Sequence, residues 1–402
     1  MPARILQVDA DAFYVQVARL IDPDGAGKAD LLLVGGTPQG RGVVTSAAYA
    51  ARQFGVRSGM PMARALRLCP NATVVGVPRR ACSELSRAIV RELEQFTPVV
   101  EPASIDEMYL DLTGTEELYR GETLEALARH IRRTVREVTE ITVSIGGGTN
   151  RLVAKLAAGR AKPHRMPEAD GVVVVPPGDE AAFLATLDLA AIPGIGPRFQ
   201  ERLAHYRLVR VGDALGHERK TLEDWFGRRA GGWLYDRIRG VDRTPIVARA
   251  RAKSISRDET FAEDIDDDDR LRRELLRLSD RAAADLRSQG YVARTISVRI
   301  RDKDFRDRRA SRTLAEPVTT ERVIFETATE LFHKLRQARP VPARLLSVSL
   351  SHFGAAETDE QLGLFEESDG APSLETDRDR RLAQAIDAAR EKWGRDAVQR
   401  GG

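Results

Sequence analysis

The sequence predicts a mixed α/β (α+β) fold of several domains, built on a ferredoxin-like βαββαβ sheet. Short apolar strands and amphipathic helices follow one another in that order up to about residue 145. The chain has 402 residues, which exceeds one ordinary domain, so three or four units of about 100 residues are expected. Acidic residues stand at the ends of two of the strands, which indicates where a site would form.

The composition excludes several classes of protein. Cys69 and Cys82 form neither a disulfide framework nor a zinc-binding spacing. No segment approaches the ~20 apolar residues of a membrane span, and Asp9 and Asp11 interrupt any N-terminal signal. We therefore expect a soluble, cytoplasmic protein. The net charge of +3 does not by itself indicate a nucleic-acid partner.

The first strand, residues 5–8, is apolar and ends at Asp9. Asp11 follows, and we expect its side chain to cap the helix that begins with Phe13 and Tyr14. The next segment, residues 30–77, is small and mixed. It contains strands at 31–34 and 42–46, a helix with Tyr49 and Arg52, and a turn at 54–61.

Two adjacent carboxylates, Asp106 and Glu107, stand at the start of an apolar strand, in which Met108, Leu110 and Leu112 are expected to face one side and Tyr109 and Asp111 the other. Neighbouring residues on a regular strand face opposite sides, so both acids reach one point only at a bend, which Pro102 and Ser104 favour. Asp9 adds a third acid at a distant strand end. Three such acids can supply the oxygen ligands that a pair of Mg²⁺ ions needs for phosphoryl transfer. Alone, an Asp–Glu pair is more often solvated charge.

Amphipathic helices at 79–96 and 124–138 and a strand at 141–145 complete the sheet. The βαββαβ order places Asp9 and the Asp106–Glu107 pair on neighbouring strands. The run 146–150 (GGGTN) is then expected to open a helix that holds Lys155 and ends at residues 161–163.

A strand at 172–175 leads into a helical region. Residues 192–197 (IPGIGP) predict a hairpin between two helices, where backbone N–H groups and a helix N-terminus can approach a phosphate without reading bases. Gly227 with Gly231 and Gly232 is a candidate for a second, poorer copy. A polar link at about 241–252 precedes the last folded unit.

That unit, about 253–353, alternates strands (293–300 and 345–351) with helices (270–288 and 319–337). Between Arg294 and Arg312 eight basic residues face only three acids. Arg299 and Arg301 share a strand face, with Lys303 if the strand extends that far. Although a charge run is usually a solvated face, a basic strand face in a separate domain is better explained by contact with a phosphate backbone.

Residues 354–379 hold nine acids and one Arg, which predicts a disordered tail. The apolar run Gln361-Leu362-Gly363-Leu364-Phe365 within it is typical of a docking peptide. Residues 379–395 are compatible with a helix of unknown purpose.

Together these motifs resemble the Y-family DNA polymerases, in particular the DinB branch, which includes bacterial DNA polymerase IV. The matching segments are 8–14 (VDADAFY), 49–56 (YAARQFGV), 104–111 (SIDEMYLD), 161–163 (AKP), 193–196 (PGIG) and 253–255 (KSI). The resemblance covers about residues 1–353, and 361–365 is similar to the sliding-clamp peptide of bacterial members.

The resemblance implies a right-handed polymerase with an additional little-finger domain. The implied parts are palm (1–11 and 78–167), fingers (12–77), thumb with a helix-hairpin-helix (168–240), linker (241–252), little finger (253–353) and an acidic, largely disordered tail (354–402).

It also implies that Asp9, Asp106 and Glu107, with the Ala10 carbonyl, hold two Mg²⁺ ions, for which Mn²⁺ is a substitute. One ion would activate the primer 3′-hydroxyl and the other would bind the triphosphate. The implied dNTP contacts are Phe13, Tyr14, Thr45, Tyr49, Arg52 and Lys162, with Tyr14 as the steric gate against a ribose 2′-hydroxyl.

Contacts with primer–template DNA are implied for Gly194, Ile195, Gly196, Arg198, Lys253, Ser254, Arg299 and Arg301. Contacts with the sliding clamp are implied for Gln361, Leu362, Leu364 and Phe365. The implied activity is template-directed DNA synthesis of low fidelity that bypasses lesions, by a monomer. Ala18 departs from the family pattern, which usually has Glu there.

Two other functions are weighed against this one. A different two-metal enzyme on the same sheet, such as a nucleotide cyclase, would need neither the hairpin nor the basic last unit. A catalytically reduced DNA- and clamp-binding relative would be expected to lack a metal acid, and all three are present here.

Overall fold

A computed structural model describes residues 2–163, 170–248, 251–355, 373–394 and 397–398. The chain divides into two compact units, residues 1–250 and 251–402. Within the described ranges, no helix combines the length and the apolar character that crossing a membrane requires.

The first unit holds a sheet region followed by a helical region. Its strands are β1 (Ile5–Ala10), β2 (Leu32–Gly35), β3 (Val44–Ala47), β4 (Thr73–Val75), β5 (Val100–Pro102), β6 (Glu107–Asp111), β7 (Val143–Gly148) and β8 (Val172–Val174). Its α-helices are α1 (Phe13–Ile21), α2 (Tyr49–Arg52), α3 (Met62–Leu68), α4 (Arg79–Glu94), α5 (Leu124–Thr139), α6 (Arg151–Ala161), α7 (Glu180–Ala185), α8 (Pro197–His205), α9 (Val211–Leu215), α10 (Arg219–Phe226) and α11 (Arg228–Ile238).

The main sheet has the strand order β5-β6-β1-β7-β8. The predicted βαββαβ succession is present as β1, α4, β5, β6, α5 and β7, with β8 added in parallel beside β7. Met108, Leu110 and Leu112 face the core that α4 and α5 cover, whereas Tyr109 faces the side of α6. The predicted alternation along this strand is therefore confirmed.

The position of the glycine run differs from the prediction. Gly146 to Gly148 end strand β7 and do not open the following helix, which Asn150 caps by accepting the N–H of Val153. A Cβ on Gly146 would come within 2.1 Å of the Ala154 carbonyl oxygen. Glycine is needed there because α6 lies directly on the strand.

A smaller sheet of order β3-β2-β4 packs with α2 and α3 around Leu33, Val44 and Met62. Helix α3 and strand β4 were not predicted. In the helical region, Gly227 alone links α10 to α11. Gly231 and Gly232 lie inside α11, so the expected second hairpin copy is wrong for them. A Cβ on Gly231 would come within 2.2 Å of the Leu222 carbonyl oxygen on α10.

The second unit is a four-stranded antiparallel sheet of order β11-β10-β12-β9, with helices on one face. Its elements are β9 (Ser254–Ile265), α12 (Asp268–Ser288), β10 (Tyr291–Asp302), β11 (Asp307–Val318), α13 (Glu321–Ala338), β12 (Ala343–Ala355) and α14 (Asp377–Trp393). Strands β9 and β11 were not predicted. Because β10 ends at Asp302, Lys303 lies in the turn beyond the strand.

The helix considered for 379–395 is present as α14, whereas the expectation that 354–402 is largely disordered does not hold for the described residues 373–394. Strand β12 extends to Ala355, and helix α14 packs on the second unit with Ala383 fully buried. Asp387 of α14 accepts two hydrogen bonds from Arg287 of α12, at 2.6 and 2.8 Å. The buried Glu375 carboxylate accepts the backbone N–H groups of Thr319 and Thr320 at the start of α13.

Candidate active site

Three acids meet at the paired ends of β1 and β6. Asp9 and Glu107 are direct partners in the antiparallel ladder, so their side chains lie on the same face of the sheet. Asp106 precedes the strand in a bend, where the Ser104 hydroxyl donates to its carboxylate at 2.6 Å. The backbone N–H of Ala10 donates to the Asp106 carbonyl at 2.9 Å. The predicted bend and the predicted neighbourhood of these acids are both confirmed.

Each of the three carboxylates has a donor from the protein. Lys162 donates to Asp9 at 2.7 Å, and Lys155 donates to Glu107 at 2.5 Å. Lys155 lies within α6, and Lys162 directly follows the last residue of that helix. In this arrangement no three acidic, histidine or cysteine side chains of the described residues converge as a metal site.

The pKa of Asp9 reflects its burial and the charges of the neighbouring acids. Burial raises the pKa of Asp9 to about 6; Lys162 opposes the rise, whereas the charges on Glu107 and Asp106 increase it. A carboxylate that is costly to ionise in the free protein gains most from a cation brought close to it. The donor set, carboxylate and carbonyl oxygens on adjacent strands, fits a hard divalent ion such as Mg²⁺.

Asp11 does not cap the first helix, which corrects the sequence prediction. The N-cap is Ala12, in a left-handed conformation with φ of 45°, and no side chain caps the helix. Asp11 is buried instead, and its carboxylate accepts the Ser144 hydroxyl at 2.7 Å and the Tyr49 hydroxyl at 3.4 Å. Burial, followed by the Asp11 charge, raises the pKa of Tyr49.

Apart from Lys162, the predicted nucleotide contacts belong to α1, β3 and α2. Phe13 is fully buried in the core, and Tyr14 packs at its edge with the ring centroids 5.7 Å apart. Burial and then the Asp106 charge raise the pKa of Tyr14. The Arg52 guanidinium lies 4.8 Å from the centroid of the Tyr49 ring. Thr45 is half-buried on β3.

Sequence reasoning missed Gln16, which joins α1 to the chain before β7. Its side-chain amide donates to the Thr142 carbonyl at 3.0 Å and accepts the Thr142 N–H at 2.8 Å. A polar residue in the middle of an amphipathic helix carries no sequence signal for such a contact. The pair fixes the start of α1, and with it Phe13 and Tyr14, against the sheet.

The Pro-Gly-Ile-Gly hairpin lies between a short 3₁₀ helix, Leu189–Ala191, and α8. Gly194 has a φ of +102°, and a Cβ there would come within 2.9 Å of the Trp233 ring. Ile195 is buried, whereas Arg198 is exposed. No side chain caps α8 at Gly196. Pro197 has no N–H and the Phe199 N–H donates to the Gly196 carbonyl at 2.9 Å, so the Arg198 N–H is the group that this helix start offers to an anion.

The open face of the second unit carries rows of hydroxyl groups that cross all four strands. Ordered as β11-β10-β12-β9, the register aligns Thr313, Thr295, Ser351 and Ser254, then Ser311, Ser297, Ser349 and Ser256, then Arg309, Arg299, Ser347 and Asp258. The opposite face carries the apolar core under α12 and α13. Lys253 is exposed beside the first row. Short hydroxyls and cations together suit a phosphate backbone.

The predicted DNA-contact arginines are already paired. Arg301 donates two hydrogen bonds to Asp307, at 2.7 and 2.8 Å, and Arg299 donates to Asp258 at 2.8 Å. The Arg301 guanidinium holds the pKa of Asp307 below its usual value. The net positive charge of this face is therefore smaller than the sequence suggests. The expected clamp residues Gln361, Leu362, Leu364 and Phe365 lie outside the described residues.

Comparison with known proteins identifies similar sequences over nearly the whole chain. The model of the impB/mucB/samB family matches residues 8–159, and the model of that family's C-terminal domain matches residues 252–364. A DNA polymerase IV of Dehalococcoides mccartyi is 36% identical over 398 residues, covering 99% of this chain and 97% of the relative. A DNA polymerase IV of Halorhodospira halophila is 37% identical over 363 residues, covering 89% of this chain and 98% of the relative.

Solved structures agree with these sequence relatives. A Y-family DNA polymerase chimera of Dbh and Dpo4 matches with a TM-score of 0.74 at 26% identity, covering 87% of this chain and 98% of the chimera. An insertion ternary complex of Dbh DNA polymerase, at the same identity and coverage, has a TM-score of 0.62.

Proposed function

The chain belongs to the impB/mucB/samB family of Y-family DNA polymerases and is a DNA-directed DNA polymerase. From this premise we propose that it performs low-fidelity translesion synthesis by two-metal nucleotidyl transfer. The observation that carries the proposal is the pairing of Asp9 with Glu107 across two strands, with Asp106 in the adjoining bend. In the proposed reaction the primer 3′-hydroxyl attacks the α-phosphate of a dNTP and pyrophosphate leaves.

We assign Asp9, Asp106 and Glu107, with the carbonyl of Ala10, as the residues that hold two Mg²⁺ ions. When bound, the ions would lower the pKa of the attacking hydroxyl and stabilise the charge of the leaving pyrophosphate. A carboxylate triad at the ends of adjacent strands supports this assignment, because such ions require several oxygen ligands of fixed position.

The remaining contacts with the nucleotide are assigned to side chains that surround the acids. Tyr49, Arg52 and Lys162 supply a phenol and two cations that can bind triphosphate oxygens. Because Tyr49 and Lys162 bond to Asp11 and Asp9 in the free protein, each would exchange a carboxylate for a phosphate oxygen. Tyr14, packed against Phe13, is assigned as the steric gate.

Primer–template DNA is assigned to two surfaces, one in each unit. The uncapped start of α8 with Gly194, Ile195, Gly196 and Arg198 offers backbone N–H groups and a cation to one phosphate strand. The hydroxyl rows of the second unit, with Lys253, Ser254, Arg299 and Arg301, offer short donors over four strands. Both surfaces suit sequence-independent contact with the DNA backbone, as template-directed synthesis requires.

Lesion bypass is proposed because residues 12–77, assigned as the fingers, are small. They contribute one three-stranded sheet and short helices, and they offer little surface for checking a nascent base pair. The division into palm, fingers, thumb, linker and little finger is proposed with the boundaries given above. Residues 361–365 are proposed to bind the sliding clamp, and the polymerase is proposed to act as a monomer.

Primer extension with Mg²⁺ tests the proposal most directly. The full chain is given an undamaged template, then a template with an abasic site, and dNTPs are compared with rNTPs. We expect extension with dNTPs on both templates and little extension with rNTPs. Extension that stops at the abasic site would remove the bypass function. DNA binding with no extension would favour a catalytically reduced relative.

A further inference from the structure

Lys155 is a cation in the candidate active site that the nucleotide contacts do not include. It lies on α6, seven residues before Lys162, which follows the last residue of the same helix. Seven residues are two helical turns, so both ammonium groups face the acids from one side of α6. Lys155 lies 2.5 Å from the Glu107 carboxylate, and Lys162 lies 2.7 Å from that of Asp9.

These two ion pairs and the Ser104 hydroxyl each engage one oxygen of a carboxylate that would bind a divalent ion. Lys155 binds Oε2 of Glu107, Lys162 binds Oδ1 of Asp9, and the Ser104 hydroxyl binds Oδ1 of Asp106. Three carboxylates close together in a partly buried site repel one another, and cations placed between them remove part of that cost. The pairs therefore lower the repulsion between the acids, and an entering ion would compete with the lysines for the same carboxylates.

We propose that Lys155 is a positioning residue that acts as an exchangeable counter-cation of Glu107, holding this carboxylate in the free protein and releasing it when metal and nucleotide arrive together. The inference rests on the proposed function, in which Glu107 holds metal and Lys162 moves to the triphosphate. An ion that enters alone must displace an ammonium group and leave it near new positive charge. An ion that enters with a triphosphate brings the negative charge that compensates this.

A purely supporting role for Lys155 predicts the opposite behaviour. If the pair only held Glu107 in the orientation that metal requires, removing the lysine would loosen the carboxylate and weaken metal binding. If the lysine competes with the ion, removing it strengthens metal binding in the absence of nucleotide. The sign of the change in metal affinity separates the two roles.

The experiment is a Mn²⁺ titration of the full chain without DNA or nucleotide, followed by electron paramagnetic resonance of free Mn²⁺. For Lys155→Gln we expect about tenfold tighter binding than in the wild type. Lys155→Arg keeps a cation on Glu107 and should bind as weakly as the wild type. Arg160→Gln is the matched control, because Arg160 lies on the same helix and forms no ion pair with the three acids. A salt concentration of ~0.15 M screens the interaction of the more distant Arg160 charge with the bound ion.

Adding a dNTP completes the test. In the wild type the dNTP should tighten Mn²⁺ binding by a larger factor than in Lys155→Gln, because part of the coupling is removed with the lysine. Unchanged or weaker Mn²⁺ binding by Lys155→Gln, in a protein that melts like the wild type, would overturn the proposal. If that variant unfolds, Lys155→Met keeps the aliphatic stem and is titrated in its place.

Failure of the proposed function would look different. A wild-type protein that extends no primer, and whose Mn²⁺ affinity does not respond to dNTP, would reject the nucleotide role of the site. The Mn²⁺ affinities of Lys155→Gln, Lys155→Arg and Arg160→Gln without nucleotide would still decide whether Lys155 competes with metal for Glu107.

Discussion

Asp9 on β1 lies directly opposite Glu107 on β6, and each carboxylate is bonded to a lysine of the segment that forms and follows α6. The ladder fixes the distance between the two strands, so the two acids stay side by side whether or not their lysines remain bound. Only the side chains must move for the acids to bind a metal ion. The site thus combines a rigid backbone with exchangeable partners.

Replacing Asp106 by Ala should abolish nucleotide incorporation and leave DNA binding largely intact. The change removes an assigned metal ligand from the bend without touching either DNA surface, and the expected loss of rate is about two to three orders of magnitude or more. Single-turnover incorporation and fluorescence-based DNA binding measure the two effects. Asp111→Asn on the same strand is the control, and equal losses in both variants would contradict the assignment.

Replacing Tyr14 by Ala should admit ribonucleotides. The ring packs at the edge of the core against Phe13, so its removal would open space for a 2′-hydroxyl. Discrimination between dNTP and rNTP, measured as the ratio of kcat/KM values, should fall by about a hundredfold or more. Tyr14→Phe keeps the ring and should retain the discrimination. A Tyr14→Ala enzyme with unchanged sugar selection would exclude the gate role.

Replacing Asp9 by Asn should stabilise the free protein near neutral pH. Burial raises the pKa of Asp9 to about 6 from the ordinary value of 3.8 for an aspartate, so ionising this group costs the folded state more than the unfolded state. This cost is absent at pH values below 3.8, grows as the pH rises from 3.8 to about 6, and is complete above about pH 6. At pH 7.5 the gain should be at most about 3 kcal/mol.

Thermal melting in EDTA at several pH values measures this effect. The gain in Tm for Asp9→Asn over wild type should shrink as the pH falls from 6 to 4, and it should be accompanied by loss of polymerisation. A gain that is independent of pH would show that the charge of Asp9 is not its cause.

Much of the site could be predicted from the sequence because its strands are buried and alternate regularly. The alternation of Met108, Leu110 and Leu112 with Tyr109 fixed the face of the strand and hence the placement of the acids. The lysine partners could not be found that way, since Lys155 and Glu107 lie 48 residues apart and meet only through the packing of α6 on the sheet.

The second unit was predicted less completely for a different physical reason. Strands β9 and β11 are the edges of its sheet and are largely exposed, so they lack the apolar pattern that marks a strand. Helix α14 is attached mainly through ion pairs with residues about 100 positions away, such as Arg287 with Asp387. The sequence is compatible with a helix at 379–395, but it does not show these distant partners, so the purpose of the helix could not be predicted.

Replacing Asp307 by Asn should strengthen DNA binding. Asp307 holds Arg301 by two hydrogen bonds and lies 3.8 Å from Arg299, so the change releases cations on the open face. We expect the salt dependence of the affinity to steepen by about one released counterion. Asp304→Asn removes the same charge from a pair with Arg339 in the adjoining turn and is the control. If both variants bind DNA with the same affinity, the pairing of Asp307 with Arg301 and Arg299 does not limit DNA binding by the open face.

Replacing Glu375 by Gln should destabilise the second unit. The buried carboxylate accepts the N–H groups of Thr319 and Thr320 at 2.7 and 2.5 Å and both of their hydroxyls at 3.0 and 2.7 Å, at the positive end of α13. An amide can satisfy only part of this donor set, so we expect a loss of about 1–3 kcal/mol in urea unfolding of the full chain. Asp377→Asn, two residues further along on an exposed side chain, is the control and should change stability little. A Glu375→Gln protein as stable as this control would mean that α14 is held by its arginine pairs alone.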